Sequence, residues 1–596
     1  MKFVNSLASG IISSFLLIVC CIYPLHLAEL LPPITVFKWF LLVFTLYFFI
    51  REYRKESPQQ TISVKGVVLG LFLFIPLVIA NLCYDIVQIS HHGWYHNAYV
   101  LQVLQDVHPL KNVNAPGTPP TTYWSFHYLL ATFSEAFNFP SFRVNAVLNC
   151  FALGVVFIIT GKILREIKVK SSGSWYFVLI LIVLFNGNLF GCFSYGFNTL
   201  FFDVDVINFD EPSNSERLLL PFRPVISYFI PQVTTIYSKF FNYSGVPLGL
   251  VGFLVSLYNM ILFRKKMNNH WILLISCVGT FFIHTIIGLF TLATLSLALC
   301  IEFLIAGRMT ELWDFIKKNI LFVAAAVFYA VLAGYYILSV SQSFGTSNIS
   351  FLSRPVYNLL NLILFNAPLL GVIFLATKFG KNIDIKQPDT RILIIALAIG
   401  WLMSLCINTH IGNQYNFMYC SSIIAGFLFA VWVKNQKWIA VVVVLIICNI
   451  QIVNYGYHFS KEWSKFTPVV SFDGVYSVRS EMTTWIRENT SKNTTVLAPI
   501  EILNSDDMWH YARLPYLRKD WFLIDKALLE DRTNDIENFY NTQMTSQQLE
   551  QSAEKILEKS KSDALTIIVP QRIQLPLSDR FQKAKSFDEF DVYSFE

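Results

Sequence analysis

The chain has 596 residues, of which 54% are hydrophobic, 16% aromatic and only 14% charged, with a mean hydropathy of +0.51 and a net charge of +6. Soluble domains carry roughly 25% charged residues, so this composition excludes an ordinary soluble protein. The basic excess lies in the apolar part of the chain, where it reports membrane topology and argues against a nucleic-acid partner.

Apolar runs of roughly 17–25 residues, long enough to span a hydrocarbon core, recur from the N-terminus to about Tyr455. The first run extends to about Leu30 without a small-residue cleavage pattern and reads as a retained helix, not a signal peptide. Basic residues cluster in alternate loops: Arg51/Arg54/Lys55/Lys65, Lys162/Arg165/Lys168/Lys170, Arg264/Lys265/Lys266, Arg308/Lys317/Lys318, Lys378/Lys381/Lys386 and Lys434/Lys437. The positive-inside rule places these in the cytoplasm and predicts about 13 spans in the lipid bilayer, with the N-terminus inside. Loops 31–34, 84–141, 193–245, a tight turn near 289, 341–355 and 408–414 then face outward, as does everything after 455.

The first large outer loop opens with "CYDIVQISHHGWYHNAYVLQVLQDVHP", which gathers His91, His92, His96 and His108 together with Asp85 and Asp106 in a chain with 11 histidines. The Pro/Gly-rich "NVNAPGTPPTTYW" follows and excludes regular structure. Next comes "YWSFHYLLATFSEAF" (123–137), which holds His127, Tyr128 and Glu135. It is short and polar enough to read as a helix lying at the outer interface, a choice that keeps every basic loop on the inside. The second large loop, 193–245, contains "FDVDVINFDEPSNSERLLLPFRPVISYFIPQVTTIYSKFFNYSG".

After residue 455 the composition changes. Residues 455–596 hold 17 Lys+Arg against 22 Asp+Glu, whereas the first 454 hold 28 against 17. All ten cysteines lie in or beside apolar runs and the tail has none, so no disulfide framework supports it. Its pattern is α/β: "VYSVRSEMTTWIRENTS" predicts an amphipathic helix, "NTTVLAPI" a strand, 546–561 a helix and "DALTIIVP" a buried strand. The expected organisation is a transmembrane domain over 1–454, with outer loops 84–141 and 193–245, and an extracytoplasmic α/β domain over 455–596.

The His-rich first loop leading to "TYWSFHYLLATFSEAF", "FIPQVTTIYSK" (229–239), "FIHTIIGLF" (282–290) and the tail's "TTWIRENTSKNTTVLAP" together resemble the polytopic GT-C glycosyltransferase superfamily. The resemblance covers most of the chain and does not identify a substrate. It implies a GT-C-like helical membrane protein of the plasma (inner) membrane. The implied reaction takes a sugar from a polyprenyl-phosphate carrier and transfers it to a glycan, lipid or protein on the non-cytoplasmic face. A carboxylate of the first loop acts as base or orients the acceptor. Aligning "HHGWYHNAY" on its Trp-Tyr-His places His92 where relatives often have that Asp, and the Arg that relatives often carry near "NTHIGNQYNF" is absent. Asp85, seven residues upstream of His92, is then the candidate carboxylate.

Transfer requires an acceptor hydroxyl to lose a proton and a phosphate to leave. Asp85 suits the first task, although a carboxylate at a span end can equally cap or orient the loop. His92, His96, Asp106, His108 and His127 offer donors and acceptors to sugar or phosphate, with hydrogen bonding at a wet membrane boundary as the alternative. Arg223 and Gln232, in "LLLPFRPVISYFIPQ", supply a phosphate-binding guanidinium and an amide; lipid headgroup contact is the other reading. Trp94, Tyr95 and Tyr128 suit stacking on sugar rings and equally suit an interfacial aromatic belt. His92 and His96 are i,i+4, but no third ligand has diagnostic spacing, so no metal site is assigned. Asp203 and Asp205 in "DVD" leave a divalent cation as an open cofactor option. His284 and the polar set His410, Asn413, Gln414 and Asn416 complete the candidates. Asn489 and Asn493 match the N-glycosylation pattern. Two other classes remain open: a catalytically inactive GT-C-like scaffold of an envelope glycan pathway, and a lipid or glycan transporter. Against the transporter, the sequence shows no paired intramembrane charges and no obvious broken-helix repeats.

Overall fold

The computed structural model describes residues 2–55, 91–105, 110–118, 125–139, 141–169, 178–184 (except 181), 240, 244–342, 349–352, parts of 355–366, 387–409, 415–433, 479–503 (except 492), 514–517 and 526–595. Among these residues, seven helices are long and apolar enough to cross a membrane. They are α1 (Lys2–Leu27), α2 (Ile34–Lys55), α5 (Ser141–Glu166), α6 (Val246–Lys266), α8 (Thr285–Ile305), α10 (Ile320–Gln342) and α11 (Pro388–Cys406). Two shorter apolar helices, α7 (His270–Ile283) and α12 (Tyr415–Val433), accompany them. The chain is a polytopic helical membrane protein, and its expected total of about 13 spans rests in part on stretches outside the described residues.

Helix α6 is the centre of the bundle, with 89% of its apolar window buried, against 22% for α2 and 11% for α10. An all-round apolar sequence suits both situations, because protein and lipid tails are equally apolar neighbours. Exposed Leu321, Val327 and Val331 on α10 mark a lipid-type surface.

One end of the bundle is held by ions. Arg264 at the end of α6 is bonded to Asp389 of α11 and lies 3.8 Å from Glu302 of α8. Arg391 grips Glu302 through two 2.7 Å bonds, and Lys265 reaches Glu166 of α5 at 3.1 Å and Asp389 at 3.7 Å. Three cations face three carboxylates, so charges that would be costly to bury singly are balanced. Arg308, at the start of α9 (Met309–Lys318), also donates to the Arg264 carbonyl at 3.0 Å. The basic loops following residues 162, 264 and 308 therefore meet on one face, as their charge pattern predicts.

One expectation needs correction, and a second gains detail. The tight turn expected near 289 falls at His284, which is extended (φ −149°, ψ 98°) between α7 and α8. Its Nδ1 accepts from the Ile287 backbone N–H at 3.3 Å, so it caps α8. Gly288 follows because a Cβ there would collide with the Phe281 backbone. The helix expected to lie at the interface over 123–137 exists as α4 (Ser125–Phe137), but nine of its 13 residues are buried. It is wedged beside α1, α2, α5 and the loop helix α3 (His91–Leu104).

Further along, β1 (Ile349–Phe351) and β2 (Ile407–Thr409) pair antiparallel, with Asn358 donating to Asn408 at 2.9 Å. This joins the later part of loop 341–355 to the start of loop 408–414, two loops predicted to face the same side.

The C-terminal region has its own core, including Ile486, Val496, Phe539, Leu549 and Ile567. The four elements predicted there appear as α13 (Arg479–Asn489), β3 (Thr494–Leu497), α16 (Ser546–Ser560) and β5 (Ala564–Pro570). The short α14 (Ile500–Leu503), β4 (Leu514–Pro515), α15 (Lys526–Phe539), β6 (Gln582–Ser586) and β7 (Phe590–Phe595) complete it. The sheet order is β4-β3-β5-β7-β6, with β3 parallel to β4 and β5 and the last two strands antiparallel. The predicted boundary at 454/455 lies outside the described residues.

Glu302→Ala should be strongly destabilising, because it leaves Arg391 and Arg264 under-compensated; breaking such a buried pair costs about 3–5 kcal/mol. Thermal unfolding in detergent, followed by the helical signal, checks this, and Glu311→Ala on an exposed surface pair should have little effect.

Candidate functional site

Two histidines from separate pieces of the first loop meet. His96 on α3 and His127 on α4 share a hydrogen bond of 2.8 Å between Nδ1 and Nε2, with the rings stacked at 5.1 Å. His96 is 5% exposed and His127 not at all. One nitrogen must donate and the other accept, so the pair holds a proton between two imidazoles in a site screened from water. Tyr99, one turn beyond His96, lays its ring 5.0 Å from His127, and Phe126 stands edge-on to His96. Nearby Ser125 is buried, with no hydroxyl partner among the described residues.

The face of α3 that carries His96 and Tyr99 continues to Gln102. Its amide donates to the Lys111 carbonyl at 3.0 Å and accepts from the Lys111 N–H at 2.9 Å, as a paired strand would. The start of α5 is tied to the same helix by Ser141, which donates to Asn97. Since α5 runs 26 residues from there to the ion cluster, the histidines and the cluster sit at opposite ends of a helix about 39 Å long.

Loop 110–118 then docks on the C-terminal region. Lys111 Nζ donates to the Lys561 carbonyl at 2.5 Å, the Ser562 hydroxyl at 3.2 Å and the Ser560 carbonyl at 3.4 Å, all at the end of α16. Arg532 of α15 donates to the Pro116 carbonyl, to the Tyr516 carbonyl at 2.5 Å and to the Lys559 carbonyl at 3.4 Å. Gly117 (φ +93°) packs against the Lys559 carbonyl with no room for a Cβ, which is why a left-handed glycine stands there. Burial pushes the Lys111 amine down to about 8, against the pull of Asp563, so the ammonium still predominates at neutral pH. The loop and the C-terminal region therefore lie on one side of the molecule.

Arg532 is 1% exposed, with its guanidinium 4.6 Å over the Tyr516 ring. Asp535 braces this ring, accepting from Tyr516 at 2.7 Å and from Lys555 and Lys559 at 2.7 and 2.6 Å. Burial would raise the Asp535 carboxyl, but the hydrogen bonds from Lys555, Lys559 and Tyr516 outweigh it and hold the group below its ordinary range.

Of the predicted residues, His96 and His127 come together. His92, Trp94 and Tyr95 lie on the first turns of α3. Tyr128 is buried with its ring edge-on to Phe37, so it packs α4 onto α2. Asp85, Asp106, His108, Arg223, Gln232, Asp203, Asp205, His410, Asn413 and Gln414 lie outside the described residues. Asn416 is buried at the start of α12. Among the described residues, no three His, Cys, Asp or Glu side chains form a metal-binding group. Gln102, Lys111 and Arg532 are the residues that sequence reasoning missed. Spacing from His96 flags the face on which Gln102 lies, but Arg532 sits in a polar helix that reads as solvent-exposed.

No family model matches the chain, and no curated protein matches it. Among solved structures it is similar to the archaeal oligosaccharyltransferase AglB from Archaeoglobus fulgidus, determined with an inhibitory peptide and a dolichol-phosphate. That likeness has a TM-score of 0.33 and 12% identity, and it covers 85% of this chain and 70% of that one.

Arg532→Ala should release loop 110–118, seen as amide hydrogen exchange about tenfold faster there, equivalent to about 1.4 kcal/mol, with α6 unchanged. Acid should act on the same joint. A carboxyl held below its unfolded value stabilises above that value, about 3.9, and the contribution is lost as pH falls through the folded value. Protection of amides in 110–118, relative to their intrinsic exchange at each pH, should therefore fall below about pH 4, and Asp535→Asn should flatten that dependence.

Proposed function

We propose that this protein is a GT-C-like membrane glycosyltransferase. It takes a sugar from a polyprenyl-phosphate carrier and transfers it to an envelope glycan, lipid or protein on the non-cytoplasmic face of the plasma (inner) membrane. The observation that carries this reading is the buried His96–His127 pair, built from two parts of the first outer loop at the end of the bundle remote from the basic loops. Such a pair can pass a proton between its nitrogens, a function useful where a hydroxyl is deprotonated and a phosphate departs.

In this reading Asp85 is the base that takes the acceptor proton. His96 and Arg223 face the carrier phosphate, and His127 sets the tautomer of His96 through their shared hydrogen bond. His92, Trp94 and Tyr95, on the first turns of α3, hold the sugar. The N-terminus lies in the cytoplasm and the region after 455 outside.

A second reading is a catalytically inactive scaffold with the same fold. It is favoured by the close packing of Tyr99 and Phe126 around a histidine pair already bonded to itself.

The two readings separate in a transfer assay, using purified protein in lipid nanodiscs with a radiolabelled polyprenyl-phosphate hexose and membrane-extracted glycan acceptors. The enzyme reading expects turnover, with Asp85→Asn and His96→Ala each lowering it by about 100-fold or more at unchanged melting temperature. His127→Gln, which keeps a hydrogen-bond partner, should retain part of the activity. Absence of turnover with every acceptor, or full turnover in Asp85→Asn, would remove this mechanism.

A further inference from the structure

The C-terminal sheet has a topological switch point that the docking contacts leave unused. From β3 the chain moves to β4 on one side, then returns through α15 and α16 to β5 on the other side of β3. Connections that diverge in this way open a crevice outside the carboxyl ends of the two central parallel strands, the usual ligand position in open α/β sheets. A cavity of about 760 Å³ lies there, lined by residues 499–502 after β3, residues 570–573 after β5, and one side of α15. Its volume falls within the range of small-molecule and oligomer subsites.

The walls are built. The Tyr540 hydroxyl donates to the Ile568 carbonyl at 2.8 Å with the Leu497 carbonyl at 3.2 Å, tying the two strand ends. Gln571 bonds the opposite wall, its N–H to Glu589 at 2.9 Å and its amide to Phe587 at 3.0 Å. The floor is apolar, with Ile502, Ile536 and Phe590 all buried. Around the rim, Glu501, Glu537, Glu589 and Arg572 are exposed. None of the four forms an ion pair among the described residues, although Arg580 with Glu554 and Lys583 with Asp591 do so on the same domain.

Three carboxylates against one guanidinium disfavour phosphates and other polyanions. They favour a ligand that donates many hydrogen bonds and presents apolar patches to the floor, as the C–H faces of a sugar do. We infer that this cleft holds an uncharged, hydroxyl-rich saccharide, a segment of the acceptor glycan; the choice of saccharide rests on the glycosyl-transfer reading. The cleft is at the carboxyl end of β5, whereas Lys111 and the α16 terminus meet at its amino end. Seven residues of strand separate the two by about 23 Å. The cleft is therefore a distal hold for an extended chain and not the site of reaction.

The test uses the full chain in lipid nanodiscs and fluorescently labelled tetrasaccharides, one of glucose and one of N-acetylglucosamine, with anisotropy as readout. Spermine and a sulfated tetrasaccharide serve as competitors. The expected result is millimolar or tighter binding of at least one neutral tetrasaccharide, weakened about tenfold (about 1.4 kcal/mol) by E537Q/E589Q. The melting temperature of this exposed-site variant should be unchanged, and the sulfated sugar should not compete. Binding of neither neutral sugar, equal binding by the variant, or displacement by spermine would overturn the inference. Transfer from the carrier to a short acceptor is measured in parallel. Turnover without tetrasaccharide binding sinks the cleft alone, and binding without turnover sinks the transferase reading alone.

Discussion

An α-helix ends with carbonyls that no further turn can accept, and at the end of α16 that constraint becomes a joint between two parts of the chain. Lys559, Ser560 and Lys561 present their carbonyls where the helix turns left-handed at Lys561, and donors from elsewhere must meet them. Lys111 comes from the first loop of the membrane part and Arg532 from a neighbouring helix, and Arg532 reaches onward to the Pro116 carbonyl of that loop. Cations at a helix C-terminus also oppose its dipole, worth about 0.3–1 kcal/mol each and up to about 2 when partly buried.

The consequence for the candidate site is mechanical. Gln102 fastens α3 to Lys111, and three and six residues earlier on the same side stand Tyr99 and His96. Displacing the C-terminal region would loosen the loop, then the helix, then the contact with His127. A histidine pair whose bond length depends on two helices needs such support, because a shift of about 1 Å breaks a hydrogen bond. At the opposite end of α5 the six-ion cluster does comparable work, fixing the ends of α5, α6, α8 and α11 relative to one another. The histidine pair thus sits near one end of the bundle and charge compensation at the other.

The C-terminal region shows the same division along its own strands. Its amino ends meet the membrane part, and its carboxyl ends open into a cleft rimmed by charges without an ion pair among the described residues. The edge strand β6 carries Lys583 and Lys585 with every residue exposed, which discourages pairing with another chain.

Hydropathy and charge alternation determined the membrane class, the face on which the basic loops gather and the composition break after 455, because each follows from transfer free energies of local segments. Period-two and period-3.6 patterning likewise located α13, β3, α16 and β5. The helix over 123–137 was legible as a helix, but its burial was not, since a half-polar helix looks alike at an interface or wedged between α1 and α2. The loop histidines were legible as candidates, yet only the fold paired His96 with His127, across 31 residues of sequence. Arg532 was invisible, because its neighbours Asp531 and Asp535 make it look like an ordinary surface charge. Contacts of that kind are decided by which distant backbone carbonyls the tertiary structure leaves unsatisfied, and no local pattern encodes them.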